Sequence, residues 1–145
     1  MNVRLEHKFQ FTAGTYLDGH LHMNNYYVKL DMITLSVYGV EQNIALDRMR
    51  HMLFKHFQDC VFVHCLEVDA IDKLQSADIN VVILPETPVD QIVGIMLYCK
   101  LNAIMQERML ITQLKISSDL GQNLWYLQSE EEDVGPFEEL GWWHT

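Results

Sequence analysis

Residues 61–84, VFVHCLEVDAIDKLQSADINVVIL, decide the fold. Val61 to His64 is a short β-branched run and reads as a strand. Across residues 67–77 the apolar positions Ala70, Ile71 and Leu74 recur at helical spacing. Residues 79–84 are then almost continuously apolar, the pattern of a strand buried on both faces. Strand, short helix, strand is a βαβ unit, which sets its strands parallel through a right-handed crossover.

The segments on either side have a different period. Val3, Leu5, His7, Phe9 and Phe11 alternate with Arg4, Glu6, Lys8 and Gln10, which predicts a half-buried strand. Residues 13–25 contain Gly14, Asp18, Gly19, Asn24 and Asn25 and read as a turn-rich connection. A second strand spans 26–38, with Tyr26, Val28, Leu30 and Met32 on one face. The apolar phase then moves to Ile33, Leu35 and Val37, so a bulge or bend is expected near Met32. A helix is predicted from about 41 to 58, with Met49, Leu53 and Phe57, joined by Met52 and His56, as its buried stripe.

Past the βαβ unit, Thr87 can cap a helix, Pro88 suits its first position and Asp90 its positive end. That helix, to about Gln106, is apolar nearly all round and should be the central buried one, with Gly94 allowing close packing. Leu110, Thr112, Leu114 and Ile116 alternate as a further strand, 119–123 turns, and Leu124 to Leu127 returns as the last strand. The order β-β-α-β-α-β-α-β-β predicts a single α+β domain. Its mixed β-sheet of about six strands packs with two long helices and one short helix.

Composition bounds the rest. At 145 residues one domain is expected, and the 49% hydrophobic and 21% charged content is that of a globular chain. The net charge of −10 argues against direct nucleic-acid binding, which needs clustered Lys and Arg. The ten basic residues look scattered along the sequence, with only Arg48, Arg50 and Lys55 close together. Cys60, Cys65 and Cys99 are an odd set in apolar surroundings, expected as reduced core thiols in a cytoplasmic protein. Residues 1–20 lack the pattern of a signal peptide, and no apolar stretch reaches the length of a membrane span.

Charge is uneven along the chain. After Lys115 there is no Lys or Arg, while Asp119, Glu130, Glu131, Glu132, Asp133, Glu138 and Glu139 follow. Phe137, Leu140, Trp142 and Trp143 sit among these acids, and burying one large aromatic is worth about 2–3 kcal/mol. Residues 1–129 are therefore expected as the globular domain. Residues 130–145 are expected as an acidic-aromatic segment packed on it, on a second subunit or on a partner.

Two segments carry a resemblance: Glu41-Gln42-Asn43-Ile44-Ala45-Leu46-Asp47-Arg48, and Leu84 through Lys100 (LPETPVDQIVGIMLYCK). They resemble an uncharacterised family of small proteins in T4-like phages of marine cyanobacteria. The likeness extends to Trp125-Tyr126-Leu127 and Gly135-Pro136-Phe137. It implies a viral origin and expression in a host cytoplasm, and it brings no activity, cofactor or catalytic residue.

Asp18-Gly19-His20-Leu21-His22 is the most suggestive chemical motif. Two His at i, i+2 on an extended segment point the same way and can chelate a divalent metal. The pattern is similar to the first metal motif of amidohydrolases, whose barrel needs roughly 250 residues. Asp-Gly is equally a hairpin turn signal. His51, His56, Cys60, His64 and Cys65 lack the tight repeated spacing of a zinc site, and His56 and Cys60 fall near the buried stripe. There is no nucleophile elbow and no phosphate-cradling Gly loop.

The preferred reading is a non-enzymatic interaction protein without a cofactor, self-associating or binding a protein partner. Its docking residues would be Phe137, Leu140, Trp142, Trp143, Glu131 and Glu132, or the acids would mimic a nucleic acid's charge. The alternative is a metal-dependent hydrolase or nuclease with Asp18, His20 and His22 on a divalent metal.

Overall fold

The computed structural model describes residues 3–34, 39–105 and 108–128. Their elements follow the order read from the sequence. They are β1 (Arg4–Leu17), β2 (His20–Thr34), α1 (Gly39–Met52), β3 (Val61–His64), α2 (Val68–Ser76), β4 (Val81–Leu84), α3 (Asp90–Met105), β5 (Met109–Ser118) and β6 (Trp125–Gln128). One six-stranded mixed sheet runs β4-β3-β1-β2-β5-β6. β3 is parallel to both β1 and β4, as the βαβ pattern requires, and the other pairs are antiparallel.

β1 and β2 form one long hairpin in unbroken register from Arg4↔Ile33 to Leu17↔His20. Residues 13–25, expected as a connection, are therefore mostly strand. Only Asp18 and Gly19 turn, with φ of 52° and 80°. Two positive φ values make the tight turn that matches the twist of the strands. The polar residues that looked like loop are strand residues with partners: Thr12 Oγ1 donates to Asn25 Oδ1 (2.7 Å), and Asn25 Nδ2 donates to Asp119 Oδ2 (2.8 Å).

The bulge expected near Met32 lies opposite it. Asp31 pairs with Gln113 and Met32 with Ile111, so the extra residue is Thr112 on β5. Thr112 Oγ1 donates to the Asp31 carbonyl (3.1 Å). Met32 and Thr34 both stay buried, so β2 does not switch faces through Thr34. Leu35 and Val37 lie outside the described residues.

α1 and α3 cover one face of the sheet. Ala45, Met49, Leu53 and Phe57 reach inward from α1 and from the π-helical turn Leu53–Phe57 that extends it. His56 is exposed, because the wider turn rotates it away from the stripe. α3 buries Val93, Met96, Leu97, Leu101 and Met105 against Tyr26, Leu30, Leu114 and Ile116. A Cβ at Gly94 would lie 2.7 Å from Leu127 Cδ1, which is why α3 can sit so close to β6. α3 begins at Asp90 rather than near Thr87: the Val89 carbonyl accepts the first helical N–H groups, from Ile92 and Val93 (3.0 Å each).

α2 covers the opposite face at one edge. Val61 and Val63 point to Ile71, with Tyr16, Leu74 and Ile79 around them, while Phe62 points into the main core. β4 is an edge strand with Ile83 exposed, not a strand buried on both faces. Cys60 and Cys99 are core thiols, but Cys65 is exposed, just past the end of β3. Among the described residues no helix is long and apolar enough to cross a membrane.

Candidate functional site

Three elements meet at the hairpin end of the main core. Thr15 comes from β1, Asn24 and Tyr26 from β2, and Ser118 from the end of β5. Alternation turns all four inward, and all four are buried. The start of α3 adds Asp90, and the loop after β5 adds Leu120 and Gly121. A cavity of about 270 Å³ opens among Thr15, Asn24, Pro88, Asp90, Gly121 and Trp125.

Hydrogen bonds set its walls. Thr15 Oγ1 and Tyr26 Oη are 2.5 Å apart. Asn24 Oδ1 accepts the Leu120 N–H (3.1 Å) and so ties the loop to β2. Ser118 Oγ donates to the Asp90 carboxylate, 2.7 Å from Oδ1 and 2.9 Å from Oδ2, and accepts the Gly121 N–H (3.0 Å). A Cβ on Gly121 would fall 2.1 Å from Asp90 Oδ2, so only glycine lets the loop pass over the carboxylate.

Electrostatics follow from burial. Asp90 is 8% exposed, and desolvation raises its pKa above 3.8, partly offset by the Ser118 hydroxyl. Its place at the N-terminus of α3 favours the anion as well. Tyr26 is pushed up to about 12, chiefly by desolvation, with the Thr15 and Asn24 hydrogen bonds opposing. The cavity thus pairs a buried carboxylate acceptor with a fixed set of hydroxyl and amide groups, beside the half-buried indole of Trp125.

The chain's sequence matches no family model and no curated protein. Solved structures do resemble it. An uncharacterized protein from Wolinella succinogenes superposes with a TM-score of 0.62 at 9% identity, covering 88% of this chain and 98% of its own. A catalytic-residue mutant of Plasmodium vivax 6-pyruvoyltetrahydropterin synthase gives 0.57 at 13% identity, covering 88% and 97%. Another structure of the Plasmodium vivax enzyme gives 0.52 at 11%, with the same coverage. The chain has the fold of 6-pyruvoyltetrahydropterin synthase. At these identities the likeness establishes the fold of the synthase and not its activity.

The residues singled out in the sequence fall elsewhere. Asp18 makes the hairpin turn, and His20 and His22 follow it on β2, both exposed, with ring centroids 6.4 Å apart. His22 pairs with Thr15, so the two histidines lie on the cavity's side of the hairpin. Among the described residues no group of three His, Cys, Asp or Glu is placed to hold a metal ion. Asp18 is committed to the turn and is not brought together with the two histidines as a third donor. Glu131, Glu132, Phe137, Leu140, Trp142 and Trp143 lie outside the described residues.

Sequence reasoning placed Thr15 and Asn24 in a turn-rich connection, gave Ser118 no role at the end of its strand and treated Asp90 as a helix-end charge. One signal was available: the alternation Phe9, Phe11, Ala13, Thr15 runs past Phe11 without a break.

Proposed function

We propose that the chain is a small-molecule binding protein that holds a planar nitrogen heterocycle of the pterin class in the cavity beside Trp125. The observation that carries this is the buried Asp90 carboxylate facing a cavity of about 270 Å³. A pterin presents an adjacent ring N–H and amino group, and a carboxylate accepts both. Donors on the ligand would replace water that an anion at this depth cannot keep. The indole of Trp125 offers a flat apolar wall. The synthase fold supports the choice of ring, since the similar structures include an enzyme named for a pterin.

This reading is one of binding, with no bond made or broken, and in that respect it stays close to the non-enzymatic role drawn from the sequence. Self-association belongs to the same reading, favoured by Leu21 and Met23, which are 46% and 64% exposed beyond the hairpin's packed part.

Calorimetric titration of the full chain with a reduced pterin, with adenine as control, tests the proposal. Saturable binding of the pterin is expected, and Asp90→Asn should weaken it by about tenfold or more, the loss of one charge-assisted hydrogen bond. Absence of saturation at millimolar pterin, or equal affinity in Asp90→Asn, would sink it.

A further inference from the structure

The face of the sheet opposite α1 and α3 carries a charge pattern that the sequence hides. Register sets Lys8 across from Lys29, and Lys29 across from Lys115, with Tyr126 next in the row. Directly opposite residues of antiparallel strands share a face with Cβ atoms about 4.5–5.5 Å apart, and like charges there repel. The neighbouring acidic pair, Glu6 and Asp31, is bridged by Arg4 at 3.8 and 3.3 Å. The lysine row is not bridged in that way. Glu6 reaches Lys29 at 3.4 Å, but Lys8 and Lys115 form no ion pair among the described residues. Lys115 rests over the Tyr126 ring, 5.2 Å from its centroid. The three lysines line a cavity of about 480 Å³ together with Tyr27, Ser117 and Leu124.

We infer that this face is the docking site of the chain's own C-terminal segment, residues 129–145. Glu130 to Asp133 neutralise the lysine row, and the following aromatics cover the apolar surface of Leu124 and Tyr126.

Charge is the first argument. The segment carries Glu130, Glu131, Glu132, Asp133, Glu138 and Glu139 with no Lys or Arg, while the face holds Arg4, Lys8, Lys29 and Lys115, four of the chain's ten basic residues. Reach is the second. β6 ends at Gln128, opposite Gln113 and two residues from the Lys115–Tyr126 pair. The acids begin two residues later, and crossing from β6 to β1 takes three strand spacings, about 14 Å. Asp133, the last of the run from Glu130, is five residues (133 minus 128) past Gln128, a span of up to ~17 Å. Apolar match is the third: Leu124, Tyr126 and Tyr27 are 51%, 54% and 42% exposed, and Phe137, Trp142 and Trp143 are costly to leave in water. Docking of the segment also closes the face to other anions. The proposal is independent of the cavity at Asp90, which lies on the helix-covered side.

Zero-length carbodiimide cross-linking of the full chain, mixed in equal parts with ¹⁵N-labelled chain, reads the contact directly. Isopeptide bonds are expected from Lys8, Lys29 or Lys115 to Glu130–Asp133, within one isotopic species, falling about fivefold or more in 1 M salt. Their absence overturns the proposal. Mixed-isotope bonds also overturn it, since the occupant is then a second copy. A labelled oligothymidylate supplies the second measurement. The full-length variant E130Q/E131Q/E132Q/D133N should bind it at low salt at least about tenfold more tightly than the unaltered chain, and the gain should vanish with K8Q/K29Q/K115Q. Equal binding by the unaltered chain would mean an open nucleic-acid surface instead, and the proposal fails.

Discussion

At Asp90 burial and charge are set against each other. Its folded pKa is raised, so above 3.8 the folded chain keeps a proton that the unfolded chain releases. The resulting stability is complete at lower pH and is lost as pH rises through the raised value. Urea unfolding across that window should therefore fall with pH, and Asp90→Asn, which cannot ionise, should flatten the fall. Gly121→Ala would drive a methyl group to 2.1 Å from Asp90 Oδ2. A loss of about 1–3 kcal/mol in urea unfolding is expected, as for other overpacked sites. The cysteines separate by the same logic. Cys60 and Cys99 are buried, with desolvation raising their thiols to about 12 and about 11, whereas Cys65 is exposed. A thiol reagent at neutral pH should modify Cys65 rapidly in the folded chain and reach Cys60 and Cys99 only after denaturation.

At the scale of elements the β1–β2 hairpin organises everything else. Its turn places Gly19 at φ 80°, where a side chain is strained. Gly19→Ala should cost about 1–2 kcal/mol by chemical denaturation. His20→Ala with His22→Ala should leave stability within about 0.5 kcal/mol, since both rings are exposed. The hairpin's tip was misread from sequence because Asn, Asp and Gly are turn formers by local preference. Tertiary pairing overrides that preference when each polar side chain finds a partner, as Thr12, Asn24 and Asn25 do. The π-helical turn after α1 had no sequence signal either. It adjusts the helix so that Leu53 and Phe57 both reach the core.

The described residues are built on a single sheet with unequal faces. One is sealed by α1 and α3; the other is covered by α2 at the β3–β4 edge. β2 is paired on both sides from Tyr26 to Ile33 and β1 at Gly14 and Thr15, while β4 and β6 are four-residue edges. Hydrogen exchange should follow that layout: amides of Phe11–Thr15 and Tyr26–Leu30 last, those of 81–84 and 125–128 much sooner. Comparable protection at the edges would contradict it and would point to strands covered by another chain.

Periodicity, with turn and capping residues, determined the order of strands and α-helices and the mixed character of the sheet. Those properties depend on which side chains leave water, and neighbouring residues record that choice. Only the tertiary structure decided which distant residues stand together. Thr15, Asn24, Asp90 and Ser118 converge because four elements, β1, β2, α3 and β5, meet at one corner, and Lys8, Lys29 and Lys115 align because strand register pairs residues far apart in the chain. Local sequence carries no trace of a contact whose cause is register between strands, so basic residues that look scattered along the chain become a row across the sheet.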